Sequence, residues 1–276
     1  MAPPFARARF VLTTMCAMQV WQDRKLEHLA LPNLSPPYFE MQSVGLVSST
    51  LTTLTCEIDP ESPWHPQYIS QMLPTPTPLH TFHLEGTITL DDAQDIIDLL
   101  AENAPQLCYL MLVSTLEQET QTEQAIQLSM LTNLRLLFLS GRPLVDAFAL
   151  LLASTPAAAT MPTLKELHLP DAYLPLEPLS LAALTQLTHL ELGAHCCHVT
   201  RAGGLCDESY LPAIKQMSSL AVLALGAPKL SVTEREVREM VLPPSSLQSL
   251  DLNDPTAESK AVVLRVLGHY IKHITC

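Results

Sequence analysis

Glycine is scarce, with eight residues in 276: Gly45, Gly86, Gly141, Gly193, Gly203, Gly204, Gly226 and Gly268. No two have the spacing of a Walker A loop, a dinucleotide fingerprint or a nucleophile elbow, each of which needs glycine where the backbone nears a phosphate or turns sharply. No His-Glu-x-x-His run occurs either, so the commonest catalytic signatures are missing. Positive charge is also scarce: 15 Lys and Arg against 28 Asp and Glu leave a formal net charge of −13. Without a Lys/Arg cluster the chain cannot neutralise a phosphate backbone, which argues against nucleic acid. A basic partner, or one not selected by charge, fits better. Apolar runs are short, the longest, such as 147–153, falling well below the roughly 20 residues that span a bilayer. The seven cysteines have no framework spacing, which points to buried thiols in a reducing compartment rather than a disulfide scaffold.

What the sequence does have is leucine at a fixed spacing. Leu164, Leu167 and Leu169 occupy the first, fourth and sixth places of a short run, and Leu187, Leu190 and Leu192 repeat the pattern. Neither a helical stripe nor a pure strand alternation gives this spacing. A strand reached through a bend, with both ends buried in a stack of copies, does. The template has seven further placements: Leu26/Leu29/Leu31, Leu51/Leu54/Cys56, Leu79/Phe82/Leu84, Leu107/Leu110/Leu112, Leu134/Leu137/Leu139, Leu220/Leu223/Leu225 and Leu247/Leu250/Leu252. Successive first positions lie 25, 28, 28, 27, 30, 23, 33 and 27 residues apart, a period of about 28.

The segments between these strands read as helices. Thr89 caps one, with acids in its first turn, Ile96, Ile97, Leu100 and Ala104 on one face, and Pro105 as the stop. Thr233 and Glu236 form a capping box ahead of Val237, Met240 and Val241, stopped by Pro243 and Pro244. Asp254 and Pro255 read as an N-cap and first-turn proline opening a last helix through Val262, Val263, Val266 and Leu267. Helices are also expected at 118–130 and 144–153, only a turn or two at 175–183, and a protruding loop at 194–207. One-sided helices alternating with strands at a fixed period build an α/β solenoid. A doubly wound sheet would need continuous Val/Ile strands and, to bind nucleotide, a glycine-bearing phosphate turn.

The chain resembles leucine-rich-repeat proteins, closest to the long, helix-containing repeats of ribonuclease inhibitor and F-box/LRR receptors. The resemblance implies a horseshoe with a parallel concave sheet and convex helices, of about nine repeats. The expected divisions are an incomplete repeat or cap at 1–25, the solenoid at 26–255, and a capping helix and tail at 256–276, without an internal domain boundary. The family places Asn or Cys three residues after the third leucine, to tie up backbone groups at the turn. Here those places hold Leu34, Asp59, Thr87, Thr115, Arg142, Ala172, His195, Pro228 and Pro255. With only four asparagines in the chain, the turns must be closed in another way.

In such a solenoid the residues between the leucines face out of the concave sheet. The fourth and fifth repeats present Tyr109, Met111, Val113, Leu136 and Phe138, bracketed by His83 and by Glu166, His168, His189 and Glu191. An apolar centre with a polar rim is the anatomy of a binding surface, and aromatic and Met anchors carry interface energy. His168 or His189 beside Glu166 or Glu191 also has the elements of a general base. Without a nucleophile, oxyanion donors or a pocket, a solvated polar face is the simpler reading. His195, Cys196, Cys197, His198 and Cys206 offer soft metal ligands, with His189 nearby. Four adjacent residues cannot all point at one ion, so no metal or other cofactor is expected.

The functional expectation is therefore a non-catalytic protein-interaction module. Its alternatives are a permanent scaffold subunit of a larger assembly and a substrate-recognition subunit of a ubiquitin ligase, although no F-box-like segment precedes Leu26. The expected location is intracellular, cytoplasmic or nuclear. Organelle import stays open, because no acid precedes Asp23. The alternative is that 10–21 is the helical half of an incomplete first repeat.

Overall fold

The computed structural model describes residues 27–34, 50–58, 66, 69–70, 73, 76–116, 124–154, 161–170, 181, 184–193, 214, 216–230, 233–241 and 246–275. It divides into two compact units, Met1–Leu116 and Glu117–Cys276. The first unit holds β1 (His28–Leu34), β2 (Thr53–Ile58), β3 (Thr81–Gly86) and β4 (Tyr109–Ser114). The second holds β5 (Leu136–Ser140), β6 (Glu166–Leu169), β7 (His189–Leu192), β8 (Val222–Leu230), β9 (Ser249–Pro255) and β10 (His273–Thr275). Within each unit every strand pairs in parallel with the next. The register aligns like positions of the leucine template, such as Leu54 with Phe82 and Leu167 with Leu190. Each unit has the architecture of a leucine-rich-repeat solenoid.

The physical cause is burial. The second and third leucine positions of all nine copies are buried, and Leu54, Phe82, Leu110, Leu137 and Leu167 are 0% exposed. Each such side chain contributes roughly 1.5–3 kcal/mol relative to exposure, so the ladder dominates stability. The structure adds a fourth core position, three residues before the first leucine. Ala104, Leu131, Met161, Leu184 and Met217 are buried there. Each accepts the backbone N–H of the residue three later, at 3.0 to 3.3 Å, which makes the bend into the strand.

The starts of β2 to β4 and of β6 to β10 are each held by a shared acceptor. The N–H groups of Thr52 and Thr53 both donate to the Glu27 carbonyl, those of His80 and Thr81 to Thr52, and those of Thr188 and His189 to Lys165. Hydroxyls reinforce the bracket: Thr52 donates to the Glu27 carbonyl and Thr188 to that of Lys165. At the far end of the strands, the first unit closes its turns with hydroxyls in place of asparagine. Thr87 and Thr115 share a hydrogen bond, Ser114 donates to the Ile88 carbonyl, and its oxygen accepts from the Leu116 N–H. Gly86 is required there, because its φ is +144° and an added Cβ would lie 2.6 Å from that of Ile58.

Among the described elements, four helices lie between strands: α1 (Leu90–Asn103), α2 (Arg142–Ser154), α3 (Glu234–Val241) and α4 (Ala257–Leu267). A reciprocal Thr89–Asp92 capping box opens α1, and Ile96, Ile97 and Leu100 face the core. Helix α2 is buried on nearly all sides and encloses Asp146, whose Oδ2 lies 3.4 Å from Arg142 Nε. Glu234 of α3 takes ion pairs from Arg238 and from Arg265 of α4.

Three expectations are corrected. No helix forms over 124–130; Ile126 and Leu128, two residues apart, are both buried, and the Ile126 N–H donates to the Ala147 carbonyl of α2. Helix α4 is capped by Thr256, whose hydroxyl accepts from the Ser259 N–H, whereas Asp254 and Pro255 continue β9. After α4 the chain returns to the sheet as β10, with Ile274 in register with Leu250. That tenth strand follows the template as Ile271/Ile274/Cys276. The expected turn at 175–183 (apart from buried Leu181), the loop at 194–207 and the segment before Glu27 lie outside the described residues.

Candidate functional site on the outward sheet faces

Alternation decides which side chains are available. In each strand the leucine positions point into the core, and the residues between them are half-buried or exposed, as in the iBiBeB pattern of β3. Every proposed contact residue lies at such an outward position, so the register assigned from sequence is the register of the fold.

In the first unit, parallel pairing sets Thr81 beside Tyr109, His83 beside Met111 and Glu85 beside Val113. Tyr109 is 39% exposed, and Met111 and Val113 are half-buried. His83 Nε2 lies 3.9 Å from Glu85 Oε2, two residues along the same face.

In the second unit, Leu136 lies beside Glu166 and Phe138 beside His168, which continue to His189 and Glu191 on β7. The Phe138 and His168 rings stack with centroids 6.1 Å apart and an interplanar angle of 29°. His168 Nδ1–H donates to Glu191 Oε2 at 2.8 Å, and its Nε2 lies 3.9 Å from Glu166 Oε2. His189 Nδ1 is 2.9 Å from the Thr188 hydroxyl, which gives its own proton to the Lys165 carbonyl. The hydrogen bond from His168 holds the Glu191 carboxyl below the usual carboxylate range, against a smaller opposing effect of burial. The stacked ring and the carboxylate together fix the His168 imidazole.

The partners of His168 are carboxylates rather than a hydroxyl or thiol, so the cluster orients an imidazole without a nucleophile attached to it. Among the described residues no group of three or more His, Cys, Asp or Glu side chains could hold a metal ion, and the His195 to Cys206 cluster lies outside them. Cys56 and Cys108 are free thiols; burial pushes the Cys56 thiol far above its ordinary range and makes it inert. Among the described residues no helix is long and apolar enough to cross a membrane. Sequence reasoning passed over Thr188, which orients His189, and the outward acids Glu57 and Glu85. The latter were legible as the residue after the third template position.

No protein-family model matches the chain, and no curated protein matches it. Among solved structures it is similar to a leucine-rich-repeat protein of Leptospira interrogans, with 18% sequence identity and a TM-score of 0.41. The match covers 90% of this chain and 60% of that one.

Proposed function

We propose that the chain is a non-catalytic module that binds a protein partner on its outward sheet faces. The contact residues are Tyr109, Met111, Val113 and His83 in the first unit, and Leu136, Phe138, Glu166, His168, His189 and Glu191 in the second. The observation that carries this reading is the outward chemistry of β4 and β5. Tyr, Met, Val, Leu and Phe occupy positions that keep solvent exposure, although the inward ladder already supplies a complete core. The charge of −13 favours a protein over a nucleic acid. The free thiols Cys56 and Cys108 favour a reducing, intracellular setting.

The test is affinity capture on the immobilised chain, followed by mass spectrometry. Met111→Asp and Phe138→Asp should each lose the captured partner while circular dichroism stays unchanged. Undiminished capture by both variants overturns the reading.

A further inference from the structure

We propose that the sheet face of the second unit selects a partner segment carrying an arginine beside an apolar residue, with Glu166 and Glu191 taking the guanidinium and Phe138 seating its neighbour. The inference rests on the protein-binding reading above and adds the chemistry of the partner.

Fixed charge on the outward positions of β5 to β7 has one sign. From β5 to β7 the outward positions carry Glu166 and Glu191, together with His168 and His189, and no lysine or arginine. A cation arriving at β5 to β7 meets no fixed positive charge on those strands, and the negative charge of the whole chain favours its approach. Both carboxylates are reachable, with side-chain exposures of 35% for Glu166 and 40% for Glu191. The bond from His168 engages Oε2 of Glu191 and fixes that carboxylate before a ligand arrives. Phe138, stacked against His168, adds a half-exposed aromatic ring alongside the acids. A planar guanidinium can bond a carboxylate through its fork, which a compact ammonium cannot. Arginine is therefore preferred to lysine.

The probes are fluorescein-labelled peptides of one length in which serine separates Arg-Leu, Lys-Leu or Glu-Leu pairs, titrated with the full chain by fluorescence anisotropy. The Arg-Leu peptide should bind most tightly and the Glu-Leu peptide least. The Glu166→Gln/Glu191→Gln double variant should weaken Arg-Leu binding by roughly tenfold or more. Asp95→Asn/Glu102→Gln, an equal charge change on the exposed side of α1, should leave binding within about twofold. Glu166→Gln alone keeps the His168–Glu191 bond intact and should still weaken binding, so a folding defect at Glu191 cannot account for the loss. Equal binding of acidic and basic peptides, or equal losses in the face and α1 variants, overturns the inference. The two levels separate in the capture assay: a partner lost by Phe138→Asp but kept by the double glutamine variant leaves the binding face standing and removes the arginine. A partner kept by both removes the face as well.

Discussion

Leu110 of β4 and Leu137 of β5 hold the same template position in different units, and both are 0% exposed. The residues beside them, Met111 and Phe138, face outward into unlike surroundings. In the first unit Met111 has His83 for a register neighbour, and His83 approaches Glu85 only to 3.9 Å. In the second, Phe138 stacks on a histidine fixed by a 2.8 Å bond to Glu191. The inward halves of the two units are interchangeable in kind, whereas the outward halves are not. On the proposed reading, stability and recognition are carried by alternate residues of the same strands, and a substitution should disturb one with little effect on the other.

The largest effects should come from the shared half. Leu110→Ala and Leu137→Ala each remove a fully buried side chain and should cost about 2–5 kcal/mol in urea unfolding, with similar losses in the two units. A loss in one unit several times that in the other breaks the equivalence. Next come the glycines that close the strands. Alanine at Gly86 meets Ile58 in a left-handed backbone, and alanine at Gly193 collides with the backbone of Pro170. Each should cost about 1–3 kcal/mol, read from the same unfolding curves.

The smallest effect sharpens the difference between the outward halves. Because the Glu191 carboxyl titrates below its ordinary value of 4.5 in the folded chain, its contribution is fully present above that pH and fades as pH falls through the folded value. Glu191→Gln should therefore cost about 0.2–1 kcal/mol at neutral pH, the partly exposed pair being screened by water, and the deficit should shrink in acid. Glu85→Gln, at a half-exposed carboxylate 3.9 Å from His83, should change stability by no more than a few tenths of a kcal/mol. A pH-independent deficit in Glu191→Gln would remove the electrostatic distinction between the two faces.

The strands were legible because a period-2 alternation inside a fixed leucine spacing assigns core and surface together. Helix α1 was legible from its cap and one-sided face, whereas the start of α4 was misplaced by two residues because Asp254-Pro255 imitates a cap. The tenth strand was hidden because Ile271, which is buried, and half-buried Ile274 stand where the template has leucine. The expected helix at 118–130 failed over its described part because Ile126 and Leu128, two residues apart, are both buried and the Ile126 N–H bonds the Ala147 carbonyl of α2. At the site, the outward positions could be read from sequence, but the pairing of His168 with Glu191 rather than Glu166 could not. That choice depends on rotamers, which the spacing does not determine.

The carbonyl that receives two N–H groups where one strand follows another within a unit has a mechanical consequence. Such a bracket transmits order only between neighbours, so each unit behaves as a row of coupled segments rather than a body around one centre. Losing one bracket frees two amides locally and leaves the next bracket intact. Loosening then advances one repeat at a time, and a ligand spanning several strands would act as a splint along that row.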